Sequence, residues 1–378
     1  MLRINIDNDL EVIQVLARDL GIIFEGETGK YNNITDVPGV EVGYTTLIEG
    51  EGPLVVGKGP IRTGVTAILP RGKQKEMKPI WAGIHSFNGN GEMTGTHWIN
   101  DGGYFLSPIC ITNTHSVGTA HQAVVKWMVK QYEEQFLNEH LWAMPVIAET
   151  YDGVLNDING CHVKEHHVLE AIESATSGSI KQGNVGGGTG MISYEFKGGT
   201  GSSSRKMVID GREYHIGVLV QANYGRRPWL TVSGVPVGKH MMDNRLNDEE
   251  KGSIIVIIGT DIPMLPHQLR RVAKRGTIGI SRSGSPGGNS SGDIFLAFST
   301  ANEMTIPQLN QKTLQMEFIN DEYFDPIYEQ TVHAIDEAVI NAMVAAGSMT
   351  TLKPEGKVVK AIDHDQLVEI LRKYNRVE

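Results

Sequence analysis

The sequence predicts an α/β (α+β) protein built as a layered sandwich, with sheets inside and helices outside. Three observations lead there. Short runs rich in Val, Ile, Thr and Gly dominate up to about residue 105 and read as strands joined by tight turns. Two later segments carry apolar residues at the 3.6-residue period of a helix with one buried face. Strands and helices are mixed without the strict β-α alternation of a doubly wound fold, and no repeat of fixed period is present.

Residues 8–20 space Leu10, Ile13, Ala17 and Leu20 as one helix face that Gly21 stops. VEVGYTTLI and GVTAILP follow as strands. Residues 119–139 form an apolar-faced helix, WAMPVIAET an apolar strand, and HHVLEAIESA a further helix. MVIDGREYHIGVLVQAN holds two β-branched runs around Asp-Gly, the strongest short hairpin signal, and LTVSGVPVG reads as another strand. Residues 243–252, DNRLNDEEKG, are charged and almost free of apolar side chains, so an exposed linker leads into the buried run SIIVIIG, whose first residue is Ser253. A helix around HQLRRVAKR, the loop SRSGSPGGNSSGD, the strand IFLAFST and helices near 325–346 and 363–373 complete the chain.

Composition narrows the function. With 378 residues, 40% hydrophobic and 21% charged, the chain is globular. A formal net charge of −10 with scattered Lys and Arg excludes a phosphate-backbone binder, so no nucleic acid is expected as partner. No window approaches the ~18 consecutive apolar residues of a membrane span, and the N-terminus has no uninterrupted apolar core, so no membrane partner and a soluble cytoplasmic protein are expected. Cys110 and Cys161 are isolated and read as buried, inert thiols. The thirteen histidines form no metal-ligand pattern, and no metal or other cofactor is expected. GNVGGGTG (183–190) follows a polar segment and lacks the Lys-Ser/Thr of a phosphate loop; it reads as backbone passing close to a strand or a substrate. KGGTGSSSR (197–205) reads as a flexible surface turn, with pocket lining as the alternative.

One arrangement admits hydrolytic chemistry. If the chain breaks between Gly252 and Ser253, the serine gains a free α-amine beside its own hydroxyl. An amine of pKa near ~8 takes a hydroxyl proton close to neutral pH, which a backbone amide cannot do. Physics permits this reading without selecting it, because a Gly-Ser step before a strand is ordinarily plain structure.

The segments ARDLGIIFEG, NNITDVPGVEVGYTTL, FNGNGEMTGTHWI, AETYDGVLND, GNVGGGTGMISYEFKGGTGSSSR, GVLVQANYGRR, KGSIIVIIGTD and GNSSGDIFLAFSTAN are long and collinear. Through them nearly the whole chain resembles the self-processing aminopeptidases typified by the L-aminopeptidase/D-amidase/D-esterase and the β-peptidyl aminopeptidases. The resemblance implies a four-layer αββα sandwich like that of N-terminal-nucleophile hydrolases, with different connectivity. It also implies a single catalytic domain cut into a large chain, 1–252, and a small chain, 253–378, and a homo-oligomer, typically a tetramer of such pairs.

By the same resemblance, Ser253 is the nucleophile and Ser291 a second serine bonded to its amine or hydroxyl. Asp293 is the acid that orients this group; the best-known members carry Glu, so the side chain here is one methylene shorter. Asn223 faces the developing oxyanion, Tyr151 sits close to the nucleophile, and Glu149 receives the substrate's ammonium group. Without the resemblance, Asn223 reads as a turn residue, Tyr151 as a rim aromatic, Glu149 as a surface acid and Asp293 as a cap. The implied activity is release of an N-terminal amino acid, α-L, D or β, from a short peptide, amino-acid amide or ester. The alternatives are an uncleaved small-molecule-binding scaffold of the same fold, or an amidase or esterase acting on non-peptide substrates.

Overall fold

The computed structural model describes residues 14–246 and 252–377. In chain order the strands are β1 (Glu41–Glu49), β2 (Ile61–Leu69), β3 (Ile80–Ser86), β4 (Tyr104–Phe105), β5 (Ile109–Asn113), β6 (Val146–Thr150), β7 (Ile192–Ser193), β8 (Phe196–Lys197), β9 (Gly199–Ile209), β10 (Arg212–Asn223), β11 (Ser253–Thr260), β12 (Asp293–Ser299), β13 (Met349–Leu352) and β14 (Glu355–Val359). The helices are α1 (Thr96–Gly102), α2 (Val117–Gln131), α3 (Glu133–Asn138), α4 (Glu165–Glu173), α5 (Val237–His240), α6 (Pro266–Arg282), α7 (Asp325–Val344) and α8 (His364–Lys373).

Two sheets carry the architecture, one in the order β1-β2-β5-β6 and one in the order β4-β3-β12-β11-β10-β9. Each contains one parallel pair, β5 with β6 and β11 with β12. A parallel pair requires a crossover, and a helix supplies it in both cases, α2 in the first and α6 in the second.

Strand β11 shows why the layers form. Every residue in it is buried. Ile254, Val256 and Ile258 join a core with Leu269, Val272, Ile335 and Ala338 of α6 and α7, whereas Ile255 and Ile257 join a second core with Ile109, Ile111, Val146 and Ala148 of the facing sheet. A strand that is apolar on both faces has to lie between two apolar layers. A third core lies under the first sheet, where Val65, Ala67 and Ile147 meet Val124, Val168 and Ile172 of α2 and α4. Three cores separate four layers in the order helix, sheet, sheet, helix, the αββα sandwich expected.

The β9–β10 hairpin forms as read, with Asp210 and Gly211 at φ 49° and 79° in its turn. The helix expected over 119–139 is interrupted at Tyr132, between α2 and α3. Other expectations are corrected. Of the helix read over 8–20, the part up to residue 13 lies outside the described residues, and the rest is a single 3₁₀ turn, Ala17–Leu20, ending at Gly21 with φ 74°. LTVSGVPVG is no strand: Val232 and Val235 bridge a turn in which Ser233 and Gly234 take φ 48° and 79°, and α5 follows. KGGTGSSSR is no surface turn: it runs buried from the end of β8 into β9, where an added Cβ at Gly201 would stand 2.0 Å from the Ala338 carbonyl oxygen of α7. Cys110 is buried in β5 as expected, but Cys161 is exposed, at φ 49° after a 3₁₀ turn. No helix among the described residues is long and apolar enough to cross a membrane.

Candidate active site

Ser253 and Asn223 lie directly opposite each other in the antiparallel β10–β11 pair. Side chains so placed stand on one face of the sheet, with Cβ atoms about 5 Å apart. Both residues share the odd-numbered phase of Ile255, Ile257 and Leu219, which is the face toward the inter-sheet core. Both are buried, at 4% and 6% exposure, and stand at one end of the β10–β11 pairing.

Two neighbours fix the Asn223 amide. Its Oδ1 accepts from the Ile192 N–H at 2.8 Å, and its Nδ2 donates to the Tyr151 carbonyl oxygen at 3.0 Å. This sets which end of the amide is nitrogen and leaves that nitrogen a second hydrogen. Asn223 is therefore the paired last residue of a strand rather than a turn residue. The residue before the serine is equally constrained, since an added Cβ at Gly252 would stand 2.0 Å from the Asn223 carbonyl oxygen and 2.6 Å from Tyr224 Cα. Only glycine lets the chain pass there.

On the other side of Ser253, the parallel β11–β12 register sets Asp293 beside Ile254. The Ser291 hydroxyl donates to Asp293 Oδ1 at 2.5 Å, so the shorter acid still meets the serine directly. Asn88 clamps the same carboxylate: its Nδ2 donates to Asp293 Oδ2 at 3.0 Å while its Oδ1 accepts from the Asp293 N–H at 2.6 Å. Burial pushes the Asp293 pKa up, and hydrogen bonds from Ser291, Asn88 and the Ile254 N–H pull it back. Close approach of Gly91 and Gly292 lets the two loops interlock, an added Cβ on Gly292 meeting the Asn90 carbonyl oxygen at 2.2 Å. Residues Gly288 to Gly292 spell G-x-S-x-G, but they lead from α6 into β12, the reverse of the strand-to-helix turn of a nucleophile elbow.

The facing sheet contributes the end of β6. Glu149 is buried rather than a surface acid, at 4% exposure. Its Oε1 accepts from the Glu92 N–H at 3.0 Å, and its Oε2 accepts from the Thr114 hydroxyl. Burial raises its pKa; the Thr114 and Glu92 donors oppose this, the Glu92 charge adds to it, and His115 opposes it. A carboxylate has room for about four hydrogen bonds, so two donors leave capacity for a cation. Tyr151 is 41% exposed and folds over Gly153, where an added Cβ would meet the phenol oxygen at 2.3 Å. Partial burial raises its pKa, with the neighbouring Asp152 adding to the effect.

The structure thus gathers Ser253 with Asn223, ties Asn223 to the Tyr151 backbone, and sets the Ser291–Asp293 pair beside the next residue of β11. Glu149 stands two residues before Tyr151 on the opposite sheet. Asn88, Thr114 and the Ile192 N–H escaped the sequence reading. Asn88 lies in the quoted segment FNGNGEMTGTHWI, but its partner is 205 positions away and nothing local marks it.

The model of peptidase family S58 matches residues 32–356. The β-peptidyl aminopeptidase BapA of Sphingosinicella microcystinivorans is 48% identical over 376 residues, covering 96% of this chain and 93% of that protein. The β-peptidyl aminopeptidase BapA of Sphingosinicella xenopeptidilytica is 43% identical over 372 residues, covering 94% and 90%. Among solved structures, the L-aminopeptidase D-Ala-esterase/amidase of Ochrobactrum anthropi superposes with a TM-score of 0.92 at 53% identity, over 96% of this chain and 99% of that one. It is described as a prototype for the serine aminopeptidases and a new variant among the Ntn hydrolase fold. A Burkholderia sp. β-aminopeptidase gives a TM-score of 0.86 at 42% identity, over 95% and 99%. Layer order, site geometry and a family match over most of the length agree, and the chain belongs to peptidase family S58.

Proposed function

We propose that this peptide-bond hydrolase activates itself by cutting the Gly252–Ser253 bond and then acts as an N-terminal-serine aminopeptidase and amidase. The observation that carries the reading is the pairing of Ser253, first residue of a rigid buried strand, with an Asn223 amide held at both ends.

In the self-cleavage, Ser253 Oγ attacks the Gly252 carbonyl carbon, the C–N bond breaks, and the hydroxyl proton leaves with the serine nitrogen. Water then hydrolyses the ester, freeing a Gly252 carboxylate and restoring the Ser253 hydroxyl beside its new α-amine. In turnover the α-amine takes the proton of its own hydroxyl as Oγ attacks the substrate carbonyl and passes it to the leaving amine as the C–N bond breaks; water then hydrolyses the acyl-enzyme on Ser253, releasing the amino acid and restoring the hydroxyl. Asn223 Nδ2 supplies a donor to the oxyanion, preorganised because Ile192 and Tyr151 fix the amide. Ser291, oriented by Asp293, bonds the serine's amine or hydroxyl, and the Tyr151 phenol borders the reacting centre. Glu149 takes the substrate's ammonium group, which restricts cleavage to the first residue: a chain continuing past that point offers no cation to a buried carboxylate.

The substrate is a short peptide, amino-acid amide or ester with a free amino group. Large and small chains, 1–252 and 253–378, stay associated as one catalytic domain, and such pairs assemble into a homotetramer, as the family resemblance suggests. Denaturing mass spectrometry of the purified protein beside a Ser253→Ala variant tests the proposal. Two fragments meeting at Gly252 and Ser253 in the parent, with one chain in the variant, support it. One unbroken chain in both refutes it and favours a binding scaffold.

A further inference from the structure

We infer that Glu195 and Arg227 form a clamp that fastens the chain just ahead of the scissile bond and makes self-cleavage fast; this rests on the self-processing reading above. The first sign is backbone strain. Tyr194 and Glu195, the two central residues of the β7–β8 hairpin, take φ 50° and 62°. Such a turn ordinarily calls for Asn-Gly, and bulkier residues persist there only when their surroundings over-determine them.

Here the surroundings do. The guanidinium of Arg227, 2% exposed, lies 3.3 Å from the centroid of the Phe196 ring. It donates to the Tyr194 and Glu195 carbonyl oxygens at 2.9 and 2.7 Å, and also to the Met241 and Asp243 carbonyl oxygens at 2.7 and 3.1 Å. One planar cation therefore ties the strained turn to the segment that leads toward the linker. The Glu195 side chain, 5% exposed, repeats the link from the other side. Its Oε1 accepts from the Arg227 N–H at 3.1 Å and lies 3.5 Å from Arg245 Nε, and its Oε2 accepts from the Leu246 N–H at 2.7 Å. The Leu246 side chain then packs with Leu155, Ile192, Met349 and Val359.

The clamp fastens residues 241–246, and Gly252 is pressed against Asn223 only six positions further on, a reach of at most ~20 Å. The Gly252 carbonyl is already bonded to the Ser253 nitrogen, so what fastening both ends of so short a stretch supplies is orientation: it limits how that carbonyl can turn relative to the Ser253 hydroxyl. The clamp contacts are made N-terminal to the cut, so they persist after it. They hold the new end of the large chain without entering turnover.

The test is the rate at which the two fragments appear, followed by denaturing mass spectrometry from the moment of synthesis in a cell-free system, together with kcat per cleaved molecule. Glu195→Ala is expected to slow cleavage at least 10-fold, Glu195→Gln less, with kcat of the cleaved fraction within about threefold of the parent's. A purely structural role would lower both readouts together. Leu246→Pro removes the N–H that Glu195 accepts without touching the strained turn, and Leu246→Ala keeps it, so the proline variant should cleave at least fivefold more slowly than the alanine one. Parental cleavage rates in Glu195→Ala and equal rates in the two Leu246 variants would overturn the clamp alone. If Glu195 variants do not fold, the Leu246 comparison decides. A parent that never cleaves overturns the self-processing reading and the clamp with it.

Discussion

Replacing Gly252 by alanine places a methyl group where the backbone of β10 already runs. The new Cβ would stand 2.0 Å from the Asn223 carbonyl oxygen, 2.6 Å from Tyr224 Cα and 2.9 Å from the Asn223 carbonyl carbon. Real Cβ atoms essentially never come closer than 3.0 Å to such neighbours, so the two backbones must separate by about 1 Å. None of the three atoms belongs to a flexible side chain. Asn223 is held by its pairing with Ser253 and by side-chain bonds to Ile192 and Tyr151, and the displacement falls on the Gly252–Ser253 step. A misplacement of this size costs reactions at a preorganised centre about 10²-fold. Gly252→Ala should therefore slow self-cleavage about 100-fold while the sandwich stays folded, because the strain falls on the first step of β11 and the rest of the strand keeps its pairing with β10 and β12. A cell-free time course read by denaturing mass spectrometry would show the 41.4 kDa chain persisting. Gly118→Ala, where nothing lies within 4 Å of the new Cβ, is the matched control and should cleave normally. Cleavage of Gly252→Ala within about threefold of the parent would refute the claim that the close approach positions the bond.

Four further outcomes follow from named contacts. Asn223→Ala should lower kcat on an aminoacyl p-nitroanilide by about 10²–10³ in the fraction that has cleaved, and an unchanged kcat would remove Asn223 from the oxyanion site. Glu149→Gln keeps the shape and loses the charge, so kcat/KM on the same substrate should fall about 10- to 100-fold; retention would mean the ammonium binds elsewhere. Burial pushes the Asp152 carboxyl up to about 7 from 3.8, opposed by nearby polar groups of which Asn156 donates to its Oδ1 at 3.0 Å. The folded state then holds a proton that the unfolded chain has lost, so stability falls as pH rises from about 4 to about 7, by roughly 4 kcal/mol in all, and is flat above that. Asp152→Asn should abolish that slope in urea unfolding followed across pH, and an unaltered slope would assign it to other groups. Gly201→Ala drives a Cβ to 2.0 Å from the Ala338 carbonyl oxygen and should cost about 1–3 kcal/mol, read as a lower Tm; an unchanged Tm would contradict the packing of α7 on β9.

Much of the fold was legible in the chain. The unbroken apolar run from Ile254 to Ile258 announced a strand buried on both faces, and Asp210–Gly211 announced a hairpin, because periodicity and turn chemistry are local. The same local rules misled where a distant element set the environment. The small residues of KGGTGSSSR look like a mobile turn, yet Gly201 and Ser203 lie against α7 and Gly199 against the backbone of Gly183. LTVSGVPVG has the apolar content of a strand, but two left-handed residues fold it back on itself.

The site divides in the same way. By itself the sequence determined which residue types were on offer, a serine at the head of a buried strand and a set of segments resembling one family's. Only the tertiary structure decided that Asn223 stands opposite Ser253, that Asn88 reaches across 205 positions to grip Asp293, that Glu149 is buried, and that Gly252 has no room for a side chain. The physical reason is that a strand's pattern records which of its faces is buried, whereas the identity of its neighbour depends on register. Register is decided by how the sheets and helices pack together, over contacts that no stretch of sequence contains.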